Sequence, residues 1–131
     1  MANQGVLADT SILIDYFRKT DKSNSILITL NNDGYDFCIS AVTEYEIYSG
    51  ATPNRLSFWE EVLKSTRVLA FDQSVVKVAV TINRALKRNR KQIDLADLFI
   101  TFTAIANSLP IAILNKKHFE RIPTLQFVKP I

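Results

Sequence analysis

GVLADTSILIDYF, residues 5–17, decides how this 131-residue chain is read. Its first four residues are small or apolar, Asp9, Thr10 and Ser11 interrupt them, and Ile12, Leu13, Tyr16 and Phe17 then recur at the spacing of one helical face. That pattern predicts a buried strand, a sharp turn and a helix. Asp9 falls at the carboxyl end of the strand, where open α/β sheets form their ligand crevice, and Thr10 or Ser11 is placed to cap the helix. A carboxylate there either accepts backbone N–H bonds at the helix start or does chemistry. Its partners from the rest of the chain decide between the two.

The same alternation repeats downstream. Ile26, Leu27 and Leu30 resume a helical spacing that stops at residues 31–34, NNDG; residues 35–39 read as a second strand, and Ser40 as the cap of a helix ending near Gly50. That helix carries Glu44 and Glu46, which lie about 200° apart around its axis, so only one faces a given cleft, and Glu46 is the candidate. Leu56, Trp59, Val62 and Leu63 give the apolar side of a further helix. Residues 67–71 predict a third strand, followed by an amphipathic helix from Asp72 or Ser74 through Leu86. Residues 93–109 form a long, nearly all-apolar helical pattern with Asp94 and Asp97, three apart, as neighbours on one face at its start. The helix dipole favours carboxylates there, but in a buried helix they need a cation or a hydrogen-bond partner. Pro110 ends that helix, residues 111–114 make a fourth strand, Asn115 to His118 follow as polar loop, and residues 125–128 suggest a fifth strand.

Length and a 47% hydrophobic content suit one domain, residues 1–131, with its own core. A net charge of +3 and a pI near 9.1 permit a phosphate-bearing partner without naming one. Arg84, Lys87, Arg88, Arg90 and Lys91 cluster closely enough to hold phosphates through non-specific electrostatics, or equally to complement the dipole at a helix end. No aromatic is interleaved among them for base stacking. Cys38 is the sole cysteine, so a reduced interior thiol and a cytoplasmic home are expected. Asp9 and Asp15 interrupt the first apolar stretch, so no signal peptide is expected. Residues 98–114 are uncharged but carry Thr101, Thr103, Asn107, Ser108 and Pro110, and fall short of the ~20 apolar residues of a membrane span.

Parallel strands would bring their carboxyl ends to one edge of the sheet, and with them Asp9, Glu46, Asp97 and the loop from Asn115 to His118. Carboxylates gathered from such distant positions repel one another unless a divalent cation joins them, and oxygen ligands favour Mg²⁺ or Mn²⁺. Such a site suits phosphodiester hydrolysis, because a bound metal activates water and neutralises phosphoryl charge. A phosphorylated aspartate at Asp9 is the competing chemistry. Phosphatases of that kind carry a second acid two residues on, where this chain has Ser11, and receivers carry acids just before it.

Taken together, Asp9-Thr10-Ser11 with Leu13 to Asp15, Glu46-Ile47 before Gly50, Asp97 to Ile100 with Thr103-Ala104, and Asn115 with Phe119 and Pro123 resemble a PIN-domain ribonuclease. The likeness runs nearly end to end and is specifically to the toxin of a VapBC toxin–antitoxin pair. It implies a three-layer α/β/α domain with a central four- to five-stranded parallel sheet, Mg²⁺- or Mn²⁺-dependent endoribonuclease activity on structured RNA such as tRNA or rRNA, homodimerisation, and a cognate antitoxin. By position, Asp9 and Asp97 would be the main metal ligands and Glu46 a further ligand or the orienter of the water. Thr10, Ser11 and Asn115 would support them, and Lys116 and Lys117 would join the basic cluster on RNA. The chain departs from the family pattern twice: His118 stands where an Asp is usual, and Ile113 where a hydroxyl residue is usual. His118 through its imidazole, or Asp94 one turn before Asp97, is therefore a further candidate ligand. A PIN-like RNA- or protein-binding module with weakened chemistry is the alternative.

Overall fold

The computed structural model describes residues 4–88, 93–120, 122 and 124–128, with only the backbone of Arg88 and His118. Four parallel strands, β1 (Gln4–Ala8), β2 (Tyr35–Ser40), β3 (Arg67–Leu69) and β4 (Ile111–Ala112), form one sheet in the order β3-β2-β1-β4. Leu7 faces Cys38 on one side and Ile111 on the other. β1 is thus an inner strand, which accounts for its unbroken apolar run and for the complete burial of Val6, Leu7 and Ala8.

Alternate residues of β1 feed opposite faces, as the two-residue period of a strand requires. Val6, Ala8, Ile39 and Ala112 pack with Ile12, Leu30, Ile47 and Trp59. These last come from α1 (Thr10–Arg18), α2 (Ile26–Asn32), α3 (Ala41–Gly50) and α4 (Leu56–Lys64). Leu7, Cys38, Leu69 and Ile111 pack on the other face against Ile100 and Ala104 of α6 (Leu95–Ala106), and α5 (Gln73–Arg88) closes over α6 through Val75, Ile82, Leu98 and Phe102. The result is the expected α/β/α layering around a parallel sheet.

The edge strands are shorter than their apolar runs. Phe71 leaves the sheet to pack at a tilt against Phe99, ring centroids 4.6 Å apart, and the Leu114 N–H turns to the Ser11 hydroxyl at 3.3 Å. The fifth strand is reduced to a single parallel bridge between Ile111 and Phe127, with Ile111 N–H donating to Gln126 O and Val128 N–H to Ile111 O. α6 is buried almost all round, as its composition predicts, and ends where Ser108 takes a φ of 55°. There Ser108 N–H bonds Ile105 O and Leu109 N–H bonds Ala104 O, which satisfies two carbonyls of the last turn. Among the described residues no helix is long and apolar enough to cross a membrane.

Candidate functional site

Asp9 leaves β1 with its N–H bonded to Ala112 O at 2.9 Å, so the end of the inner strand is fixed against β4 before the side chain is placed. With extended dihedrals it becomes the cap of α1, and its Oδ2 accepts the Ser11 N–H at 3.0 Å. Asp9, then, and neither Thr10 nor Ser11, caps this helix. The side chain is only 6% exposed, and its Oδ1 is buried without a hydrogen-bond partner among the described residues. Burying an ionised oxygen unpaired is costly, and at a helix start the dipole offsets only part of that cost.

Thr10, freed from capping, points its hydroxyl across to α3. It lies 2.7 Å from Glu46 Oε1 and 3.0 Å from Thr43 Oγ1. Of the two glutamates on α3, Glu46 is the one that Thr10 draws toward the β1 end. Glu46 also borders a groove between α3 and α6 with Val42, Tyr45, Leu95, Ala96 and Phe99. Tyr45 and Leu95 are 70% and 63% exposed at its rim. Asp97 stands in the first turn of α6, half-buried, in the helix that forms the far wall.

Ser11 takes the Leu114 N–H and so draws the loop after β4 to the start of α1. Asn115, at the head of the short 3-10 turn Lys116–His118, is exposed and does not cap that turn with its side chain. Asp94 precedes α6, exposed, and likewise makes no side-chain cap bond. Arg84, Lys87 and Lys117 are exposed and Lys116 half-buried; Arg90, Lys91 and the side chains of Arg88 and His118 lie outside the described residues. The structure therefore bonds Ser11 to Asp9 and Thr10 to Glu46, two pairs that meet at the start of α1.

Among the described residues, no three or more His, Cys, Asp or Glu side chains come close enough together to hold a metal ion. The donor chemistry nevertheless suits an oxygen-seeking divalent cation at Asp9. Its orphaned buried oxygen is the kind of ligand Mg²⁺ takes while keeping several waters and one or two carboxylates. Two hydroxyls that the sequence reading left out of the site, Ser40 and Thr43, are buried behind Thr10. The signal was present: Ser40, Thr43 and Glu46 are spaced by three, one face at the start of a helix.

Fold and strand ends define a three-layer parallel-sheet domain with acidic residues at the carboxyl edge of its sheet. Comparison with known proteins agrees. The PIN domain family model matches residues 6–125. Ribonuclease VapC1 of Methanocaldococcus jannaschii is 34% identical over 121 residues, covering 89% of this chain and 80% of its own. Ribonuclease VapC10 of Mycobacterium tuberculosis is 30% identical over 126 residues, 95% of this chain and 91% of its own. The chain belongs to the PIN domain family, in its VapC-type branch. The solved structure of VapBC2 from Rickettsia felis bound to a promoter DNA fragment superposes with a TM-score of 0.84 at 21% identity, covering 95% of this chain and 98% of that one. DNA-bound VapBC from Salmonella typhimurium gives 0.81 at 24%, covering 96% and 97%. At such identities these two structures speak for the fold alone.

Proposed function

We propose that this protein is the ribonuclease toxin of a toxin–antitoxin pair, a domain that holds structured RNA such as tRNA or rRNA and hydrolyses its phosphodiester backbone with Mg²⁺ or Mn²⁺. The observation that carries this reading is the buried, unpartnered Oδ1 of Asp9 at the end of the inner strand; the names of its relatives, both ribonucleases, support it. Asp9 and Asp97 are the ligands in this reading, Glu46 a third ligand or the group that orients water, and Asp94 or His118 a further one. Thr10, Ser11 and Asn115 support them. A divalent cation held there supplies an activated water and neutralises phosphoryl charge. Arg84, Lys87, Arg88, Arg90, Lys91, Lys116 and Lys117 supply the charge that retains the RNA backbone. Since related solved structures are toxin–antitoxin complexes, a cognate antitoxin is the expected protein partner, with a homodimeric toxin acting in the cytoplasm.

A second reading, a PIN-like module with weakened chemistry that binds RNA or protein, has a specific observation in its favour. The described residues gather no three-ligand cluster, and His118 and Ile113 stand where the family pattern has an acid and a hydroxyl. The buried Asp9 oxygen and the relatives' names favour cleavage, and the lack of a three-ligand cluster among the described residues favours binding alone.

Cleavage of labelled tRNA and rRNA by the purified, antitoxin-free protein separates the two readings. The ribonuclease reading expects cleavage with Mg²⁺ or Mn²⁺, none with EDTA, and none in Asp9→Asn or Asp97→Asn. Asn caps a helix as well as Asp does, so Asp9→Asn should remain folded. RNA retention without cleavage under either metal, in folded protein, would select the binding module.

A further inference from the structure

We propose that Thr43, held in turn by Ser40, is a positioning residue that fixes the Glu46 carboxylate through the Thr10 hydroxyl. This rests on the reading of Glu46 as part of the site.

A carboxylate only accepts, and each hydroxyl has one proton to give. Thr10 lies 2.7 Å from Glu46 Oε1, so its proton goes to that oxygen. The 3.0 Å contact between Thr10 and Thr43 must then use the proton of Thr43. Thr43 Oγ1 is left as acceptor for the Ser40 hydroxyl at 3.3 Å. Ser40 Oγ in turn accepts the Thr43 backbone N–H at 3.0 Å, closing the sequence on the start of α3. Every hydroxyl in the chain thereby has one direction, from Ser40 through Thr43 and Thr10 to Glu46.

Burial makes the arrangement rigid. Thr43 is 0% and Ser40 1% exposed, so water cannot replace a missing partner, and an unmade bond at either position costs the full desolvation of the group. Thr10 directly follows Asp9 in sequence, whereas Thr43 and Glu46 belong to α3. The relay therefore couples the end of β1, which carries Asp9, to the helix that carries Glu46, and so sets one carboxylate relative to the other. Partners of this kind behind metal-ligating groups change metal affinity or activity by about 10–100-fold when removed.

Thr43→Val keeps the shape of the side chain and deletes only the hydroxyl, while Thr43→Ser restores it. In metal-free protein, three-bond couplings should show one χ1 rotamer for Glu46 in wild type and in Thr43→Val an average over several, with Thr43→Ser returning to one. The Mn²⁺ dissociation constant, read by electron paramagnetic resonance, should rise about tenfold in Thr43→Val. On RNA, kcat should fall with KM unchanged. Should Thr43→Val fail to fold, wild type alone decides: the relay requires hydroxyl protons of Thr10 and Thr43 that exchange slowly enough to be observed, and their absence overturns it. A folded Thr43→Val protein that keeps a single Glu46 rotamer also overturns it. If the rotamers behave as expected while wild type binds no Mn²⁺, the metal reading of the site falls and the positioning by Thr43 stands.

Discussion

At the scale of single residues, Asp9 divides its two oxygens between unlike tasks. Oδ2 caps α1 through Ser11 N–H and Oδ1 is buried without a partner. Capping alone would be served as well by Asn or Ser, so the charge is the part that structure does not require. In EDTA, Asp9→Asn should match or slightly exceed wild type in urea unfolding, whereas Asp9→Ala, which loses the cap, should fall by about 1 kcal/mol. Equal losses in both variants would mean that the charge itself is structural. The place of Asp9 was legible because a polar residue ending an apolar run marks a strand end. Thr10 was expected to cap α1 or to support the site; that its hydroxyl serves Glu46, 36 positions away, was not legible, because capping preferences describe a residue and its own helix. Cys38 shows the opposite case: burial pushes its thiol up from the usual range, despite the opposing charge of Arg67, in keeping with the interior thiol expected from sequence.

At the scale of elements, the corner between α1 and α2 depends on Lys22, which sequence presents only as one cation in a polar stretch. Its ammonium donates to the carbonyls of Tyr16, Phe17 and Lys19, each at 2.8 Å, and lies between 5.2 and 5.9 Å from the ring centres of Tyr16, Phe17 and Phe58. The positive charge thus satisfies the negative end of α1 and sits among aromatic faces at once. Asp15 completes the corner by accepting the Ile26 N–H at the start of α2. Lys22→Met preserves the apolar stem and removes only the donors, so a loss of about 2 kcal/mol is expected from bonds to a charged group. Faster amide exchange at the start of α2 should accompany it, and a change below about 0.5 kcal/mol would assign the corner to apolar packing instead. Asp72 plays a simpler part at α5. The hydroxyl of Ser74, with Val75 N–H, lowers its carboxyl below the ordinary 3.8, so what it contributes is present above that pH and fades as acid protonates it.

For the whole molecule, strand-helix alternation sufficed to read an α/β domain with parallel strands, because a parallel strand and its crossover helix each carry their own periodicity; the three layers were implied by the family resemblance. Where the sheet stops was not legible, since an edge strand ends when other groups claim its N–H bonds, as Ser11 claims that of Leu114. The β4 edge is consequently only two residues long, yet Ile111 within it is wholly buried. Residues 126–128 make that possible: they supply two backbone bonds to Ile111, and Phe127 and Val128 pack against both sheet faces. β4 in turn holds Asp9, through Ala112 O, and Leu7 and Ala8 by register. Removing residues 126–131 should therefore do more than fray an end. Losing two half-buried apolar side chains and two bonds is expected to cost about 3 kcal/mol, measured as a lower urea midpoint. The Asp9 amide should also exchange faster than in wild type, while amides of β3 on the opposite edge change only by the global loss. Phe127→Ala, which keeps the backbone bonds, should show the smaller stability loss and leave the Asp9 amide protected. If truncation leaves the Asp9 amide as slow as before, the end of β1 is held by α1 and β2 alone, and the closing bridge contributes nothing to the site.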